Sequence, residues 1–87
     1  MELRDKVIVI TGGSGGIGMA MAQAFLKEGA KGICLADLDE TTAKQAALKL
    51  DPSGERCVGM QCDVTSESEI KGLTDATKEE FGPIDLF

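Results

Sequence analysis

Four short apolar runs punctuate the chain, and the segments between them repeat their apolar positions with a helical period. Lys6–Thr11 (KVIVIT) is continuous and rich in β-branched residues, the pattern of a parallel strand covered on both faces. Beyond a glycine-rich stretch, Ile17, Ala20, Met21, Ala24 and Phe25 recur at i, i+3, i+4, i+7 and i+8. That spacing predicts one apolar helix face, with Gly29 placed to end the helix. Gly32–Asp37 (GICLAD) reads as a second buried strand. Ala43, Ala46, Ala47 and Leu50 then mark a helix stopped by the turn Asp51–Gly54 (DPSG). Arg56–Asp63 (RCVGMQCD) is a third strand. Ser66 and Glu69 fit a capping box, and Ile70, Leu73, Thr77 and Phe81 carry one face of a third helix to the stop at Gly82–Pro83. A fourth strand begins at Ile84–Phe87. The order βαβαβαβ, with short connections, predicts an α/β fold: a Rossmann-like, doubly wound parallel sheet with right-handed crossovers, truncated in its last strand.

Length and charge narrow the chemistry. The 87 residues suffice for one small domain at most. A formal net charge of −6 argues against nucleic acid or an anionic membrane as partner. The opening MELRDK mixes acidic and basic residues ahead of only a short apolar run, so neither a signal peptide nor a membrane span is expected, and the protein reads as cytoplasmic. Cys34, Cys57 and Cys62 sit in or beside apolar runs and read as buried, reduced thiols. No metal site is expected, since the chain lacks C-x-x-C pairs and has no histidine.

Thr11–Gly18 (TGGSGGIG) concentrates five glycines in eight residues. A linker separates domains, whereas this loop joins a buried strand directly to a helix. Such a unit gathers unpaired backbone N–H groups and the positive helix end at one point, which makes an anion site, usually for phosphate. A Walker loop would need Gly-Lys-Ser/Thr, and no lysine is present here. Two registers remain open: Gly13, Gly15 and Gly18 satisfy G-x-G-x-x-G, and Gly12, Gly16 and Gly18 satisfy G-x-x-x-G-x-G. Asp37 closes the second strand 19 positions after Gly18, close to the spacing of a carboxylate that binds an adenosine ribose. Its alternative role is a helix-start charge, for which Asp39 is better placed. Asp63 ends the third strand at the same sheet edge. It is expected to accept from the exocyclic amine of an adenine, or alternatively to cap the helix near Ser66.

These motifs together resemble the short-chain dehydrogenase/reductase family. TGGSGGIG is similar to the family's T-G-x-x-x-G-x-G signature, with Thr11 and Gly12 selecting the second register. The acidic end of CLADL, the CDVT before a helix, and FGPIDLF fit the same family in order and spacing. The resemblance spans essentially the whole chain and makes residues 1–87 the N-terminal part of a single NAD(P)-binding Rossmann domain, ending within the fourth strand. It implies that Gly12 makes the tight turn, Gly16 admits the pyrophosphate and Gly18 allows close helix–strand packing. Ser14, Gly15 and Ile17 would line the phosphates, Asp37 and Leu38 the ribose, and Asp63 and Val64 the adenine. Members that prefer NADP usually carry a basic residue where this chain has Gly15 or Leu38. A 2′-phosphate ~4 Å from Asp37 would cost up to about 4 kcal/mol at an effective dielectric of 20. NAD is therefore the expected cofactor.

The family's Tyr-x-x-x-Lys pair and its catalytic serine are not matched, and the chain contains no tyrosine. No catalytic residue is assigned, and the 87 residues by themselves are expected to be inactive. Their apolar final strand, Ile84, Leu86 and Phe87, predicts association and weak cofactor binding for the isolated segment. The complete enzyme would transfer a hydride between NAD(H) and a small-molecule alcohol or carbonyl, as a homo-oligomer. The rival readings are a non-catalytic dinucleotide-binding module or truncated isoform, and a fragment of an S-adenosylmethionine-dependent methyltransferase. The latter usually has an acidic residue before its glycines, where this chain has Ile10–Thr11.

Overall fold

The computed structural model describes residues 3–12 and 15–87. Strands β1 (Val7–Thr11), β2 (Gly32–Asp37) and β3 (Cys57–Gln61) alternate with helices α1 (Gly16–Lys27), α2 (Glu40–Leu50) and α3 (Glu67–Phe81). The strands are parallel and lie in the order β1-β2-β3. Pairing of Thr11 with Ala36 and of Asp37 with Gln61 brings all three carboxyl ends to one edge.

The apolar runs are continuous because both faces of the sheet are covered. Ile8, Ile10, Ile33 and Leu35 pack with Ala22 of α1 and Ala46 and Ala47 of α2. Val9, Cys34 and Ala36 pack on the other face with Cys62 and with Leu73 of α3. Each large aliphatic side chain so buried stabilises the fold by roughly 1.5–3 kcal/mol. Alanines bring α2 close to the sheet, and a glycine brings it closer: a Cβ on Gly59 would overlap the Ala43 carbonyl group. The end of α1 is clamped from the next unit, where the Arg56 guanidinium donates to the carbonyls of Leu26 (2.9 Å) and Ala30 (2.7 Å).

The expected helices form, but α1 turns a different face inward. Gly18 and Ala22 are its buried residues, with Met19, Phe25 and Leu26 packed at the margin. Of the predicted face, Ile17, Ala20, Met21 and Ala24 are exposed, and only Phe25 packs. The helix is apolar nearly all round, so its period matches more than one face. The sheet takes the side with the smallest residues, which permits the closest approach. Part of the other side, at Met21, borders an apolar groove lined also by Ile8, Ile10, Phe25, Leu86 and Phe87.

The fourth strand is reduced to one parallel bridge, Ile8 with Leu86. The Val7 N–H goes to the Asp85 carboxylate at 2.9 Å rather than to a backbone carbonyl. The bridge itself is made by the Leu86 N–H on the Val7 carbonyl at 3.2 Å and the Val9 N–H on the Leu86 carbonyl at 2.9 Å. This segment lies across β1 from β2, and that reversal of strand order is where doubly wound sheets open a crevice.

Candidate functional site

The glycine loop begins where β1 ends. Gly12 has φ +65°, a left-handed conformation that suits glycine, and its carbonyl accepts the Gly15 N–H at 3.2 Å. Gly15 is the N-cap of α1 and brings no side-chain acceptor, and the first turn contains no acidic residue. Protein carboxylates therefore leave the positive end of the α1 dipole uncontested within its own first turn. A Cβ added at Gly16 would meet nothing within 4 Å, so the space above this backbone is open. Gly18 is buried toward the sheet, whereas Ile17 is 82% exposed. Ser14 and Gly13 lie outside the described residues.

At the end of β2, the Asp37 carboxylate accepts the Leu38 N–H at 2.8 Å. The helix-start role falls to Asp39, the N-cap of α2, whose Oδ1 accepts from Thr42 N–H at 3.2 Å. The Asp37 carbonyl accepts the Cys62 N–H at 2.8 Å, so the chain leaving β3 is tied to the end of β2.

Asp63 follows, and it does not cap α3. Ser66 is the N-cap and accepts the Glu69 N–H at 3.3 Å. The Glu69 carboxylate reaches past the cap and accepts the Asp63 N–H at 3.1 Å. The expected capping box is thus half made, with its return bond displaced to Asp63. Asp63 Oδ1 accepts from Thr65 twice, from the hydroxyl at 2.6 Å and the N–H at 2.9 Å. The Thr65 hydroxyl, then its N–H, hold the Asp63 carboxyl below its ordinary value.

Thr11, Gly12, Ala36, Asp37, Leu38, Cys62, Asp63, Val64 and Thr65 line one cleft of about 410 Å³ at this edge. Its size is that of a small-molecule site. Leu38 (68% exposed) and Val64 (52%) offer apolar surface beside the two carboxylates, an arrangement suited to a flat ring with polar edges. Gly12, Asp37, Leu38, Asp63 and Val64 are therefore brought together. Gly15, Gly16, Ile17 and Gly18 belong to the neighbouring start of α1 and do not line the cleft. The roles of Thr65 and Glu69 toward Asp63 escape a sequence reading. The D-x-T spacing is a signal for the first, but the six-residue reach of Glu69 has none.

The cysteines are free and buried. Burial pushes the Cys34 thiol up to about 11 and Cys57 up to about 12, and raises Cys62 as well, so none is a ready nucleophile. Among the described residues, no group of three or more Cys, Asp or Glu side chains is arranged to hold a metal ion. No described helix is long and apolar enough to cross a membrane.

The family model for short chain dehydrogenases matches residues 6–87. This chain belongs to the short-chain dehydrogenase family. It is 41% identical over 86 residues to galactitol 2-dehydrogenase of Agrobacterium fabrum and 37% identical over 86 residues to zerumbone synthase of Zingiber zerumbet, covering 99% of this chain and 32% of each relative. A crystal structure of a short-chain dehydrogenase/reductase from Burkholderia phymatum in complex with NAD superposes with a TM-score of 0.89 at 34% identity, over 100% of this chain and 31% of that one. The chain spans about 30% of the length of the curated relatives it matches. The Rossmann-like α/β arrangement expected from the strand–helix alternation is thus the family's own.

Proposed function

We propose that these residues are the N-terminal, cofactor-binding part of an oxidoreductase that moves a hydride between NAD(H) and an alcohol or carbonyl substrate. The observation that carries this reading is the shared cleft, in which the turn at Gly12, the carboxylate closing β2 and the carboxylate after β3 meet at one sheet edge. The backbone of Gly15, Gly16 and Ile17, with Ser14, would hold the pyrophosphate, and Gly18 would keep α1 close to the sheet. Asp37 accepts from the ribose hydroxyls, and Asp63 accepts from the adenine amine between Leu38 and Val64. When bound, the nicotinamide supplies the hydride chemistry. These residues supply binding and orientation.

Asp37 also sets the preference for NAD, since a 2′-phosphate would face a carboxylate, and Leu38 and Gly15 bring no cation. In the whole protein we infer a small-molecule substrate, a cytoplasmic setting and a homo-oligomer. A second reading, a non-catalytic dinucleotide-binding module, would use the same cleft. Titration with NAD, NADP and S-adenosylmethionine, followed by saturation-transfer NMR suited to millimolar affinities, tests the shared premise. NAD is expected to bind best and S-adenosylmethionine not at all; preference for S-adenosylmethionine would overturn it.

A further inference from the structure

We propose that Thr65 is the positioning residue for base recognition: it holds one oxygen of Asp63 so that the other is presented to the exocyclic amine of adenine. The inference rests on the reading of this cleft as the adenosine site and assigns a role within it. Asp63 stands on a half-exposed connection rather than in a strand or helix. A carboxylate there would ordinarily sample several rotamers, and ordering it on binding would weaken affinity.

Thr65 removes that freedom in advance. Its hydroxyl and N–H both engage Oδ1, at 2.6 and 2.9 Å. Oδ2 accepts no hydrogen bond among the described residues. Both residues line the cleft. The backbone beneath is fixed separately, through the Asp63 N–H on Glu69 and the Ser66 N–H on the Asp63 carbonyl at 3.0 Å. Loss of the Thr65 hydroxyl therefore leaves Oδ1 held by the Thr65 N–H alone and loosens the carboxylate, while the turn that carries it stays in place. The ionised carboxylate is purely an acceptor, and the Thr65 contact favours that form. An acceptor in this place favours adenine, which offers an amine, over hypoxanthine, which offers a carbonyl oxygen.

The test compares NAD with nicotinamide hypoxanthine dinucleotide on the complete protein that carries these residues and on its Thr65→Val and Thr65→Ser variants. Dissociation constants come from saturation-transfer titrations, with amide spectra recorded for each variant. Unsubstituted protein should prefer NAD. Thr65→Val should shrink that preference about two- to tenfold, and Thr65→Ser, which keeps the hydroxyl, should retain it. Equal weakening of both dinucleotides in Thr65→Val, or an unchanged ratio, would make Thr65 merely structural and overturn the inference. Absence of a preference in the unsubstituted protein would overturn the adenosine-site reading itself, and this inference with it.

Discussion

Asp85 and Val7 exchange hydrogen bonds: the Val7 N–H donates to Asp85 Oδ2 at 2.9 Å, and the Asp85 N–H donates to the Val7 carbonyl at 2.9 Å. The pair fixes where the Ile84–Phe87 segment meets β1, and so where the sheet reverses its strand order. Asp85→Ala leaves the first N–H of β1 without its carboxylate, and a stability loss of about 1–3 kcal/mol is expected. Asp85→Asn keeps an oxygen acceptor and should lose less. Urea unfolding of the two variants measures the difference, and equal losses would show that the bond contributes nothing specific.

Cofactor choice is expected to follow the end of β2. Asp37→Ala combined with Leu38→Arg removes a carboxylate from the ribose and offers a guanidinium to a 2′-phosphate. The ratio of NAD to NADP affinity should fall about 10- to 100-fold. Parallel titrations measure that ratio, and an unaltered value would remove Asp37 from the site.

Asp63 and Ser66 are close in sequence and are expected to fail differently. Ser66→Ala removes the cap of α3 and should cost about 0.5–2 kcal/mol of stability, with NAD affinity nearly unchanged. Asp63→Ala should weaken NAD binding several-fold or more and alter stability less than Ser66→Ala does. Thermal melts and NAD titrations of the two variants separate these effects. The reverse pattern would return Asp63 to a purely structural role.

Much of the fold was legible because burial on both faces writes itself as unbroken apolar runs. Gly32–Asp37 matches the expected strand at both ends, and the Leu73, Thr77 and Phe81 face of α3 is buried as its spacing indicates. Helix α1 resisted the same reasoning, because periodicity distinguishes a face only where the opposite side is polar. The Ile84–Phe87 run looked like a strand by composition, but a single side-chain acceptor, Asp85, displaced the first rung of its ladder. At the candidate site, Asp37 ends β2 as expected, whereas β3 stops at Gln61 and leaves Asp63 on the connection beyond the expected strand end. The D-x-T spacing carried a signal for the Thr65 bonds to the Asp63 carboxylate, whereas nothing in the spacing marks the reach of Glu69 back to the Asp63 N–H.

Acid should destabilise the fold through two carboxylates. Asp51, held by the Ser53 hydroxyl and then the Arg56 N–H, and Asp63, held by Thr65, both lie below their ordinary value of 3.8 when folded. The unfolded chain therefore takes up their protons first as pH falls. Their contribution is fully present above about pH 4 and fades as pH drops through the lower folded values. Urea midpoints measured from about pH 5 to about pH 2 should fall, and the fall should be shallower in Asp51→Asn. A midpoint constant across that range would contradict the assignment.

The most direct test maps NAD onto the amide spectrum of the isotopically labelled chain. Binding at the proposed site predicts shifts at Gly12, Gly16, Ile17, Gly18, Leu38 and Val64, while Lys6, Lys31 and Arg56 at the opposite sheet edge stay still. Shifts gathered instead around Met21, Leu86 and Phe87, in the apolar groove, would contradict the reading of the Asp37–Asp63 cleft as the place where the cofactor's adenosine is held.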